Sequence, residues 1–137
     1  MTALVLDSRA LEVLADRRAD PDGTTRVRAM LTAAAHLGIT VRVPTAVLSE
    51  TYTGRGSDAA IDHVLGRGVR PITAGQAMAR LAGALKARDR LDSCHTVDAI
   101  VVATSIRLGG GIIATGDPDD LISLARDHSH VRVAPIR

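Results

Sequence analysis

The sequence predicts an α/β protein, a three-layer α/β/α sandwich around a mainly parallel central sheet. Three observations point there. Short apolar segments alternate with longer stretches of helical periodicity along the whole chain. The first apolar run, Ala3 to Leu6, carries no polar residue on either face, which suits a strand covered on both sides. The connections between apolar segments are long enough for helical crossovers, which parallel neighbours require. At 137 residues, with 46% hydrophobic residues, the chain is expected to form a single domain over residues 1–137 with a sizeable core.

The elements follow in order. Ala3 to Leu6 is a strand ended by Asp7, and helical spacing begins at Ala10 and Leu11 and continues through Val13 and Leu14. Asp20-Pro21-Asp22-Gly23 is a polar turn. Val27, Met30, Leu31, Ala34 and Leu37 then share one helical face, which Gly38 terminates. Ile39 to Val43 alternates apolar and polar residues and is closed by Pro44, as a second strand should be. Residues 45–52 form a short helix interrupted by Gly54 and Gly56, residues 57–66 another helix, and Val69 to Ile72 a third strand.

Thr73 to Ala87 is Ala-rich and helical, Arg88 to His95 a loop, and Thr96 the cap of an apolar helix from Val97 to Leu108. Gly109-Gly110-Gly111 ends that helix. Ile112 to Thr115 is a fourth strand, Asp117 to Ala125 a last helix, and Val131 to Val133 a closing strand. No internal repeat or low-complexity segment interrupts the pattern.

Composition narrows the function. Aromatic residues are 1% of the chain, and Tyr52 is the sole ring. Modules that read single-stranded nucleic acid by stacking bases need several exposed rings, so an RRM, OB or cold-shock reading is excluded. Contact with RNA has to run through charge and metal. Of 17 basic residues only Lys86 is lysine, at a net charge of +2. Guanidinium forks suit phosphate, while a GC-rich genome produces the same bias with no functional meaning. The single Cys94 forms no internal disulfide and has no CxxC partner for structural zinc. The opening MTALVLD lacks a basic leader and no run reaches the length of a membrane span, so a cytoplasmic protein is expected.

In parallel sheets ligands gather beyond the carboxyl ends of the strands, which directs attention to the acids there. Asp7 follows the first strand and Asp117 the fourth; each is also well placed to cap the helix after it. Asp98 lies in the first turn of an otherwise apolar helix, where the dipole favours an acid but burial penalises it unless it is paired or binds a metal. Glu50 follows the second strand on a short helix. Four carboxylates brought together would repel one another unless a cation neutralised them, and an all-oxygen set selects a hard ion, Mg2+ or Mn2+. Metal and acids together equip a phosphodiesterase.

Leu4-Val5-Leu6-Asp7-Ser8, the helical Glu50, Val97-Asp98-Ala99-Ile100-Val101-Val102-Ala103 and Ile113-Ala114-Thr115-Gly116-Asp117-Pro118-Asp119-Asp120-Leu121 resemble, in order and separation, the successive motifs of PIN-domain ribonucleases of the VapC toxin family. The resemblance spans nearly the whole chain. It implies the toxin of a type II toxin–antitoxin pair, an endoribonuclease that uses Mg2+ or Mn2+ to cut RNA and inhibit translation. It also implies that Asp7, Glu50, Asp98 and Asp117 form the acidic pocket, with Asp7 and Asp98 as direct metal ligands. Ser8 and Thr115 match supporting hydroxyl positions and Asp119 a more variable acid. The implied partners are RNA, a VapB-like antitoxin and a second copy of the chain, with DNA reached only through the antitoxin complex and no membrane. Arg9 departs from the pattern, which often has a small residue there. Its guanidinium either contacts substrate phosphate or turns away to pair with an acid.

Other candidates are weaker. Adjacent Cys94 and His95 lack any oxyanion-hole motif for nucleophilic catalysis, and His128 and His130 sit in a polar turn. Gly109-Gly110-Gly111 and Gly66-Arg67-Gly68 lack the spacing of a nucleotide-binding loop. Arg55, Arg67, Arg70, Arg88 and Arg90 line an RNA approach or coat the surface. Two rival functions are a PIN-fold module without activity, kept open by Arg9, and a receiver-like phospho-acceptor domain, which lacks its paired acids and its lysine.

Overall fold

The computed structural model describes residues 3–137. Five parallel strands form one sheet in the order β3-β2-β1-β4-β5: β1 Ala3–Leu6, β2 Thr40–Pro44, β3 Val69–Ile72, β4 Gly111–Thr115 and β5 Val131–Pro135. β1 is central, with Leu4 opposite Val41 on one side and Ile112 on the other. All four of its residues are buried, as an apolar run covered on both faces requires.

The crossovers divide the helices between the two faces. α1 Ser8–Ala15, α2 Pro21–Leu37 and α4 Asp58–Leu65 pack together on one face; α5 Gln76–Arg88, α6 Thr96–Arg107 and α7 Pro118–Ala125 cover the other. The short α3, Thr45–Thr51, touches both α1 and α6. Because β1 feeds a helix on one face and its neighbour β4 a helix on the other, the chain diverges between their carboxyl ends and leaves a crevice.

The core is aliphatic, as the composition requires. Leu6, Leu11, Ile113, Leu121, Leu124 and Ile136 are its largest fully buried side chains among the described residues, joined by valines such as Val5, Val13, Val43 and Val47. Each such side chain contributes about 1.5–3 kcal/mol by leaving water. No described helix is long and apolar enough to cross a membrane.

Several boundaries differ from expectation, chiefly at helix starts. α1 begins at Ser8, not Ala10, because the Asp7 side chain caps it. The expected turn at Asp20 to Gly23 is the first turn of α2: Asp20 accepts from the Gly23 N–H at 3.0 Å, Pro21 takes the first helical position, and Gly38 closes the helix at φ 68°. The second strand is shifted to Thr40–Pro44, and α5 starts at Gln76. Within the expected 88–95 loop, Ser93–His95 forms a 3-10 turn capped by Asp92. Thr96 is the first residue of α6 and does not cap it; His95 stands at the cap position without a side-chain bond. β5 extends to Pro135.

Candidate carboxylate pocket

Asp7, Ser8, Glu50, Asp98 and Asp117 line one pocket of ≈ 280 Å3 at the carboxyl end of the sheet. Each acid reaches it from a different element. Asp7 follows β1, Glu50 is in the last turn of α3, Asp98 is the third residue of α6, and Asp117 stands between β4 and α7. Residues separated by up to 110 positions are thereby gathered at the crevice where β1 and β4 part.

Asp7 is both a cap and a site residue. Its Oδ1 accepts from the Ala10 N–H at 2.9 Å, its Oδ2 accepts from the Gly116 N–H at 3.2 Å, and the Thr115 hydroxyl also donates to it. It is 8% exposed. Burial raises its pKa against these hydrogen bonds, which pull the other way. The Thr115 hydroxyl, itself buried, accepts from the Asp117 N–H at 2.9 Å and so ties the two strand-end acids together. The Asp117 side chain does not cap α7 although it occupies the cap position.

The Ser8 hydroxyl donates to Glu50 Oε1 at 2.5 Å, fixing the exposed Glu50 against the start of α1. Asp98 is partly buried, and its pKa is pushed up to about 6, first by desolvation and then by the negative charges of Asp117, Asp120 and Asp7. The Asp117 carboxyl is also raised, by desolvation and then by Asp120 and Asp119. Burial is the larger cause of both shifts, and the charge of neighbouring acids adds to it.

The donor set fits a hard cation. Its reachable ligands are carboxylate oxygens, and each ionised acid raises the cost of the next. Among the described residues no three of the four pocket acids bring oxygens within 4.8 Å of one another.

The remaining expected residues fall as follows. Arg9 contributes its stem to the pocket wall, under Gly116, while its guanidinium turns to Glu12 at 3.7 Å and Asp20 at 3.6 Å. Asp119 is exposed and outside the lining, reaching the pocket only through its field on Asp117. Two contributors escaped the sequence reading. Asp120 raises the pKa of both Asp117 and Asp98, and Arg137 lines the pocket from the far end of the chain. Asp120 stands in a run of acids at a helix start, where capping and dipole preferences mask any other role. Lys86, the chain's one lysine, donates to Thr96 Oγ1 at 2.9 Å and does not line the pocket.

A larger groove lies elsewhere. It measures ≈ 580 Å3 and is lined by Leu14, Leu31 and Val64 together with Arg17, Arg28, Arg67 and His63. That lining holds no carboxylate, and its titratable groups are His63 and the three arginines.

No family model and no curated protein matches the chain. Among solved structures, it is similar to a chain of VapBC2 from Rickettsia felis, determined bound to a DNA fragment from their promoter. The identity is 12%, the match covers 98% of each chain, and the TM-score is 0.69. At that identity the likeness establishes a shared fold, over the full length of both chains.

Proposed function

We propose that this protein is the toxin of a type II toxin–antitoxin pair, an endoribonuclease that hydrolyses RNA phosphodiester bonds with the help of Mg2+ or Mn2+ and so inhibits translation. The convergence of Asp7, Glu50, Asp98 and Asp117 on one pocket at the sheet's switch point carries the reading. The fold shared with a chain of the R. felis VapBC2 complex supports it.

Asp7 and Asp98 would hold the ion directly, with Glu50 and Asp117 reaching it through water. When bound there, the ion supplies a water of lowered pKa and neutralises charge on the phosphate. The chain's own groups do the positioning. Thr115 and the Gly116 N–H orient Asp7, and Ser8 holds Glu50 where its carboxylate can take a proton from the attacking water. Asp119 and Asp120 add negative potential at the pocket rim. The same reading assigns the large groove to a VapB-like antitoxin: an apolar lining with arginines suits an amphipathic helix with acidic flanks. It carries a homodimer and DNA contact made through the antitoxin complex.

Purified protein incubated with total transfer and ribosomal RNA in Mn2+ is expected to release discrete fragments. EDTA, Asp7→Asn and Asp98→Asn should each abolish them. Equal cleavage by the wild type and Asp98→Asn would refute the assignment. Absence of cleavage in the wild type, with Mn2+ still raising its melting temperature, would favour the inactive binding module.

A further inference from the structure

A second cluster of ligating side chains sits outside the carboxylate pocket. Asp92, Cys94 and His95, all within one capped 3-10 turn, bring one ligand atom each to within 4.8 Å of the others. Among the described residues they are the one such trio. Cys94 Sγ lies 3.2 Å from His95 Nδ1, and His95 Nδ1 lies 3.4 Å from Asp92 Oδ1. Donors on a tetrahedral zinc ion stand roughly 3.4–3.6 Å apart, as follows from Zn–S near 2.3 Å and Zn–N and Zn–O near 2.0–2.2 Å. The sulfur–nitrogen and nitrogen–oxygen edges of the trio are therefore close to the lengths a zinc ion requires, and the sulfur–oxygen edge lies within 4.8 Å.

Local structure explains why the trio is preset. Asp92 caps the turn, its Oδ1 accepting from the Cys94 N–H at 3.1 Å, so its carboxylate is aimed back over the turn. The His95 ring is oriented from its other side. Its Nε2 faces Asp120 Oδ2 at 3.7 Å, so an acid stands on the side of the ring opposite Cys94 and Asp92.

We propose that Asp92, Cys94 and His95 bind a borderline-soft divalent cation of the zinc class, with a ligand set of their own beside the carboxylate pocket and Asp120 flanking both. Thiolate and imidazole donors select zinc over magnesium, whereas the pocket offers oxygen alone. The thiol loses its proton to solvent on binding. A water completes the tetrahedron, because the turn and its cap are exposed. Such an ion would brace the segment leading into α6, which carries Asp98 three residues further on. The proposal does not depend on nuclease activity.

Co2+ added to tag-free, metal-stripped protein in a thiol-free reductant is the test. The wild type should develop a near-ultraviolet thiolate-to-cobalt charge-transfer band that saturates at one ion per chain, is displaced by Zn2+ and resists excess Mg2+. Cys94→Ser should lose the band, and His95→Ala should weaken cobalt binding by about tenfold or more. Asp98→Asn should retain the band. No band in the wild type, a band surviving in Cys94→Ser, or a band lost in Asp98→Asn would each overturn the proposal. Calorimetric Zn2+ binding of equal affinity in the wild type and Cys94→Ser would do the same.

Discussion

The Asp7 carboxylate accepts a hydrogen bond from the backbone N–H of Gly116, 109 residues away, while its other oxygen caps α1 through the Ala10 N–H. One side chain thus joins the carboxyl ends of β1 and β4 and starts a helix. Structural and chemical duties coincide in it, so a simple deletion at this position confounds the two.

Asn and Ala substitutions separate them. Asp7→Asn keeps a carbonyl oxygen for the cap but sets its NH2 against the Gly116 N–H, and is expected to cost about 1 kcal/mol in urea unfolding, less than the alanine variant. Asp7→Ala removes the cap and strips the Gly116 N–H of its partner, which should cost about 1–2 kcal/mol. RNA cleavage should be lost in both. Retained cleavage in a folded Asp7→Asn protein would remove Asp7 from the proposed site.

Asp98 should make stability depend on pH in the metal-free protein. Its folded pKa of about 6 exceeds the usual 3.8, so between these values the folded state binds more protons than the unfolded one. Stability on this account falls as pH rises from about 4 to 6, and the penalty stays constant above. The full shift corresponds to at most about 3 kcal/mol; partial exposure and screening reduce it to about 1 kcal/mol. In EDTA at pH 7.5, Asp98→Asn should therefore melt about 3 °C above the wild type, with the gain vanishing near pH 4. In excess Mn2+ the order should reverse, since the wild type alone keeps its full ligand set. A variant no more stable than the wild type at pH 7.5 in EDTA would deny the crowding of charge.

Arg9 lines the carboxylate pocket while its guanidinium pairs with Glu12 and Asp20. Surface pairs at 3.6–3.7 Å contribute little. Arg9→Ala is expected to lower stability by under about 1 kcal/mol and to change cleavage by less than about threefold, a step of under 1 kcal/mol in the barrier. A rise of tenfold or more in KM at unchanged kcat would instead make the guanidinium a phosphate contact.

Gly111 opens β4 at φ 138°, and a Cβ there would drive into the Ala3 carbonyl of the paired strand. Both the backbone conformation and the close approach exclude a side chain. Gly111→Ala should cost at least about 2 kcal/mol, read from the urea midpoint. An unshifted midpoint would mean that the β1–β4 register tolerates displacement.

Much of this architecture was legible in the amino-acid order. The unbroken apolar run at Ala3 to Leu6, the Gly38 and Gly109 helix ends and the alternation of strand and helix reflect local propensity and hydrophobic period, which act over a few residues. They suffice to specify a parallel α/β sandwich. The motifs around Asp7, Glu50, Asp98 and Asp117 were visible for the same reason, each as an acid beside an apolar segment. The starts of α1 and α2 differ from the sequence pattern because a cap decides each boundary, Asp7 and Asp20 acting through a single side-chain bond, whereas the Glu50 helix begins at Thr45 as expected.

Convergence of the acids was settled by strand order, because β4 lies beside β1 only once β3 has crossed back over the sheet. So was the turn of the Arg9 guanidinium toward Asp20, the entry of Asp120 into the pocket's field, and the meeting of Arg137 with Asp117 around one cavity. Coulomb energy and hydrogen bonding depend on separation in space. Short-range sequence pattern carries none of that separation, and packing of the two helical layers against the sheet supplies it.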